Sequence, residues 1–175
     1  MSQKEMLFRC SAVGNLMSEP KLVADKKAGK LSKTAESYLN QFIFEYKYGR
    51  RQNFSTKATQ KGTQTEDDGI HVLNMVMKTR YKKNETRFNG DYLTGEPDII
   101  AKDMIIDIKS NFLASTFLTK DAIESIYKWQ LAGYCKLLDK RKGAIAYTLN
   151  NTPLEIIKSE ITSSYYKNGL VDLTD

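Results

Sequence analysis

The six residues Met104-Ile105-Ile106-Asp107-Ile108-Lys109 constrain this chain more than any others. Three isoleucines within one short run mark a strand that is central and largely buried. Residues i and i+2 of a strand share a face, so Asp107 and Lys109 project to the same side. A carboxylate and an ammonium in such surroundings are costly unless they pair or bind a metal. A structural ion pair in a half-exposed strand is the plainer reading of the same two residues.

The flanking residues extend the pattern. Asp98 follows Pro97 at the start of a strand expected over 96–101, and Lys102-Asp103 supplies a turn. That turn would bring Asp98 and Asp107 alongside each other. Two converging carboxylates with a strand carbonyl make a hard oxygen site suited to Mg²⁺. Lys109, beside a metal-bound water, could stabilise hydroxide or the charge that develops on a phosphate.

Upstream, the sequence reads as helical. Ser11 is expected to cap a short helix through about Met17, stopped by Pro20. A basic loop follows over 21–33. Ser32 or Thr34 then caps a helix to about Tyr48, with Gly49 as its stop. A third helix is expected over 62–77, with Ile70, Leu73 and Met77 at helical spacing. Glu66 lies at its start, where it could join a metal site or simply favour the helix dipole. Strands are expected over 85–93 and 96–101, with Asn89-Gly90 as a turn.

Downstream of the central strand, Asp121 is expected to cap a helix to about Leu138. A strand over 144–149 and a last helix from Pro153 complete the order. In the helix 121–138, Ile123, Ile126, Tyr127, Leu131, Tyr134 and Leu138 form an apolar stripe, and Gln130 falls inside it. A core-facing amide needs a partner, and the carboxylates or their water would serve. Helices, adjacent strands, helix, strand, helix describe an α/β fold, a mixed central sheet flanked by helices.

The 175 residues fit one domain, with a basic helical part over 1–60 and a catalytic core over 61–150. Residues 1–60 hold 11 Lys/Arg against 5 Asp/Glu, whereas 61–175 hold 16 against 16, so the whole excess of +6 lies in the first third. That asymmetry suggests a polyanion partner or a merely solubilising surface. Cys10 and Cys135 are too few for a disulfide framework or a Cys-rich metal site, and the single His71 cannot support His-based chemistry. The start has no apolar h-region and no window could span a membrane, so a reducing cytoplasm is the expected compartment and no membrane partner is expected.

Glu66, Pro97-Asp98, Asp107-x-Lys109 and Gln130-x₃-Tyr134, in this order and spacing, resemble the PD-(D/E)XK nuclease superfamily. Within it the chain is similar to the RecB-like and YqaJ/lambda-exonuclease branch of phage recombination nucleases. Ser11 to Pro20 resembles that branch's Ser-containing N-terminal segment, where the Ser helps hold a DNA 5′-phosphate. The resemblance covers residues 9 to 149 and implies a restriction-endonuclease-like fold. It implies Mg²⁺, with Mn²⁺ able to substitute, held by Asp98, Asp107 and the Ile108 carbonyl, with Glu66 in or near the shell. It implies that Lys109 and Gln130 position the nucleophilic water. DNA is the implied partner, through Arg9, Ser11, Lys26, Lys27, Lys30 and Tyr134; a single-strand annealing protein and further copies of this chain are the other partners it admits. An exonuclease in DNA recombination or repair is the leading expectation. An endonuclease or branched-DNA resolvase shares the chemistry, and a binding module on the same fold would lack turnover.

Overall fold

The computed structural model describes residues 6–50 and 56–159. Their packing divides into two compact units, each drawn from three stretches of chain. The first takes the described residues of Met1–Asn53, Tyr81–Asp107 and Asp121–Ile145; the second takes those of Phe54–Arg80, Ile108–Lys120 and Ala146–Asp175.

The first unit begins with strand β1 (Phe8–Arg9), a 3₁₀ turn (Cys10–Ala12) and two short helices, α1 (Val13–Leu16) and α2 (Val23–Lys27). Ser11 lies within the 3₁₀ turn and does not cap a helix; Arg9 and Ala12 hold the cap positions, neither with a side-chain bond. Helix α3 (Lys33–Tyr48) matches its expectation closely. Ser32 accepts from the Ala35 N–H, and Gly49 ends the helix in the left-handed conformation at φ 66°. On its inner face Phe42 stacks on Phe8, with ring centroids 4.4 Å apart.

The expected strand over 85–93 is interrupted. Strands β2 (Phe88–Asn89) and β3 (Leu93–Gly95) pair antiparallel across a turn in which the Gly90 N–H donates to Leu93 O, and β1 pairs parallel with β3. Pro97, which cannot donate to a ladder, separates β3 from strand β4 (Ile99–Ile100). A second three-stranded sheet therefore starts there. Its central strand is β5 (Met104–Ser110), flanked by β4 and by β6 (Lys142–Thr148). The strands thus form two small mixed sheets with helices around them, the α/β class expected.

Two more helices follow in chain order: α6 (Ala114–Leu118), in the second unit and without a counterpart in the sequence reading, and α7 (Ser125–Leu137), in the first. Helix α7 starts three residues later than expected, with Glu124 rather than Asp121 at its cap. Its buried face carries Gln130, Leu131, Gly133 and Tyr134. Leu131 and Tyr134 join Cys10 and Ile105 in the core of the first unit, with Leu93, Ile100 and Ile145 packed around them. Each fully buried side chain of this size contributes roughly 1.5–3 kcal/mol.

The second unit holds α4 (Lys57–Gln64) and α5 (Glu66–Met77), two helices where one was expected over 62–77. The break is at Thr65. Its Oγ1 donates to Lys61 O, four residues back, a bond that bends helices. Glu66, Asp67 and Asp68 then fill the first turn of α5, where negative charge favours a fresh N-terminus. Residues 154–159 are helical after Pro153, as expected.

Candidate active site

In the first unit the hairpin from β4 to β5 sets the site. Ile99 pairs with Ile106 and Ile100 with Ile105, and the turn closes with the Ala101 N–H on Met104 O. One step further in the same register puts Asp98 opposite Asp107. Cβ atoms of directly opposed residues lie about 4.5–5.5 Å apart. The Asn84 N–H donates to Asp98 O at 2.7 Å, so the start of the hairpin is tied down on its other edge.

Asp107 is only 1% exposed and Asp98 is half-buried. Helix α7 meets Asp107 with Gln130, whose Nε2 donates to Asp107 Oδ1 at 2.9 Å. Gln130 is itself 5% exposed. The same nitrogen lies 3.2 Å from the Tyr134 hydroxyl, which donates in turn to Glu96 O at 3.4 Å. Tyr134, expected among the DNA contacts, is 4% exposed and belongs to the core. Burial raises its phenol well above the ordinary tyrosine range; Gln130 offsets part of this, and the nearby Asp107 and Asp98 carboxylates add to it. Both carboxylates therefore lie near the Gln130–Tyr134 face of α7.

Like charges facing each other across a strand pair repel, and a buried carboxylate needs compensation. Lys109 follows two residues along the same strand, in the second unit. Among the described residues no group of three or more His, Cys, Asp or Glu side chains forms a metal cluster. Mg²⁺ does not require one, because one or two carboxylates with other oxygens and substrate phosphates are its usual donors. Asp98, Asp107 and a strand carbonyl fit that donor set.

In the second unit Glu66 is the first residue of α5 and is half-buried, as is Lys109; Ile108 is 7% exposed. Sequence reasoning missed Lys61, which is 2% exposed and donates from Nζ to Asn111 O at 2.8 Å. A lysine before a glycine in a polar stretch reads as solvated surface, so only the fold reveals it.

Apart from buried Tyr134 and half-buried Arg9, the residues expected on DNA are exposed in the first unit. Ser11 and Lys27 are exposed. Lys26 pairs with Glu19, Lys30 with Asp25, and Arg9 with Glu45 at 3.6 Å. No described helix is long and apolar enough to cross a membrane.

A hairpin that opposes two carboxylates, with a lysine two residues beyond the second and a buried glutamine braced on it, defines the nuclease class with the PD-(D/E)XK pattern. No protein-family model matches the chain, and no curated protein matches it. Solved structures do. A phage related exonuclease from Haemophilus somnus 129PT is 31% identical with a TM-score of 0.73, over 86% of this chain and 71% of that one. An alkaline exonuclease, LHK-Exo from Laribacter hongkongensis, has a TM-score of 0.66 at 13% identity over 94% and 88% of the two chains. Its complex with dAMP gives 0.65 at 14% over the same shares. At that identity the Laribacter enzyme supports the fold. The Haemophilus relative supports more: the chain belongs to the phage-type exonuclease branch of the PD-(D/E)XK superfamily.

Proposed function

We propose that the chain is a Mg²⁺-dependent deoxyribonuclease, and specifically an exonuclease acting on DNA ends in phage recombination or repair. The register that opposes Asp98 to Asp107, with Gln130 bonded to Asp107, is the observation that carries this reading. Asp98, Asp107 and the Ile108 carbonyl, with Glu66 in or near the shell, would hold the ion. Bound there, Mg²⁺, or Mn²⁺ in its place, would supply Lewis-acid charge and lower the pKa of its water.

The chain's own residues have separate tasks. Asp107 needs a fixed orientation, and the Gln130 amide provides it from a helix buried on that side. Lys109 Nζ donates to the attacking water and offsets negative charge growing on the phosphate oxygens. Arg9, Ser11, Lys26, Lys27 and Lys30 hold DNA phosphates, with Arg9 and Ser11 nearest a 5′-terminal phosphate. The likeness to an exonuclease at 31% identity favours end-directed cleavage. A single-strand annealing protein and further copies of the chain are the protein partners that fit this role.

Digestion of end-labelled linear duplex and covalently closed circular DNA, with Mg²⁺ and with EDTA, tests the proposal. Mg²⁺-dependent release of mononucleotides from linear DNA alone is the expected result. Cleavage of circles would replace the exonuclease with an endonuclease. Binding without turnover in Mg²⁺ would leave a DNA-binding module.

A further inference from the structure

Among the described residues Lys61 is the one buried lysine. Its ammonium donates to the backbone carbonyl of Asn111 and lies 5.6 Å from the centroid of the Phe112 ring. Both partners are neutral. Burial pulls its pKa below the ordinary lysine value. An ammonium kept from water by neutral partners is an expensive arrangement. A methionine would fill the same space at lower cost, so the charge has no evident value for stability.

What the ammonium holds is more informative. Asn111 directly follows β5, and its N–H donates to Thr148 O at 2.8 Å. Thr65, at the junction of α4 and α5, bonds through Oγ1 to Lys61 O at 2.8 Å and to Ser110 Oγ at 3.0 Å. Asn150 Nδ2 donates to Thr65 O at 3.0 Å. One turn into α5, a Cβ on Gly69 would stand 2.7 Å from Ile108 Cγ2, so helix and strand touch as closely as backbone allows. These contacts bracket two residues. Glu66 comes immediately after Thr65, and Lys109 comes immediately before Ser110.

We propose that Lys61 is a positioning residue: through the Asn111 carbonyl it fixes the end of β5 that carries Lys109 against the helix start that carries Glu66. The roles of Glu66 and Lys109 rest on the nuclease reading above, whereas the tie itself can be measured without turnover. Lys61 need not meet substrate, and its burial keeps it from doing so.

The test compares the full-length parent with Lys61→Met and Lys61→Gln by three measurements: melting temperature, amide hydrogen exchange, and kcat and KM on linear duplex with Mg²⁺. Lys61→Met is expected to melt no lower than the parent. Exchange at residues 109–111 and 66–68 should nevertheless rise about tenfold through local opening. Turnover should fall roughly 10- to 100-fold with KM unchanged, the signature of misplaced catalytic groups. A lysine that merely packs would show unchanged exchange at those residues and parental kcat per folded molecule, and that pair of results overturns the proposal. If the parent fails to cleave DNA, the nuclease reading falls, and the exchange measurement still decides whether the tie exists. If Lys61→Met does not fold, Lys61→Gln decides on the same criteria, because it too removes the ammonium from the Asn111 carbonyl.

Discussion

Gln130 Nε2 donates to Asp107 Oδ1 across 2.9 Å, from a helix face that is otherwise apolar to a strand whose neighbouring residues are isoleucines. An amide in such a place gives the carboxylate a donor without adding charge. Gln130→Leu keeps the volume and removes the donor. It should destabilise the fold by about 1–3 kcal/mol through the under-satisfied carboxylate. If Asp107 holds Mg²⁺ as proposed, it should also lower kcat roughly 10- to 100-fold, as loss of a partner behind a metal ligand does. Denaturant unfolding and steady-state kinetics check the two effects, and an active, fully stable variant would refute the role.

The same cluster depends on a close approach behind it. A Cβ on Gly95 would lie 2.6 Å from Tyr134 Cε1 and 3.0 Å from Cys10 Sγ. Gly95→Ala should therefore cost about 1–3 kcal/mol by overpacking. Because the displaced ring bears the hydroxyl next to Gln130, activity should fall as well. A thermal melt at the parental temperature would show that the ring has room to move.

Cys10 gives the fold an alkaline limit. Burial pushes its thiol up to about 11 from an ordinary 9.0. A group whose folded pKa is raised keeps its stabilising contribution below the unfolded value and loses it as pH climbs to the folded one. Stability should thus decline between pH 9 and 11, by up to about 2–3 kcal/mol from this group. The difference in unfolding free energy between the parent and Cys10→Ala, followed over that range, isolates the thiol. A difference independent of pH would contradict the burial argument.

Much of this arrangement is legible in the sequence, for local reasons. An apolar run interrupted by Asp107 and Lys109 fixes a strand and its faces. Lys102-Asp103 between two apolar runs fixes the turn, and with it the opposition of Asp98 to Asp107. Gln130 announces itself by breaking an apolar stripe. The illegible parts depend on distant residues. Thr65 divides one expected helix in two while bonded to Ser110, and Lys61 is buried by Asn111 and Phe112. The two-residue strand β1 exists only because β3 pairs with it. Tyr134 presents the same letter whether its hydroxyl faces DNA or a neighbouring carbonyl; packing against Cys10 and Ile105 decides.

The ion pairs of the basic segment bear on DNA affinity. Lys26 and Lys30 are engaged by Glu19 and Asp25 at exposed positions, where such pairs are worth little. DNA phosphates should displace the acids readily. Glu19→Gln with Asp25→Asn should therefore tighten DNA binding. Replacing Lys26, Lys27 and Lys30 by Ala should weaken it evenly across sequences and flatten the slope of log affinity against log salt by about 0.9 per lost contact. Fluorescence anisotropy at several salt concentrations measures both. An unchanged slope in the triple variant would mark these lysines as solvated charges. Replacing Arg9 and Ser11 should instead penalise 5′-phosphorylated ends more than 5′-hydroxyl ends.

Lys109 bears most directly on the central claim, since it shares a strand face with Asp107 and is assigned to the water rather than to DNA grip. Single-turnover digestion of 5′-labelled linear duplex in Mg²⁺ by Lys109→Ala, alongside its DNA dissociation constant, is the decisive measurement. The nuclease account predicts cleavage reduced by about 10³-fold or more, within the range for a lost transition-state charge, with affinity close to the parent's. Parental cleavage by Lys109→Ala would contradict it.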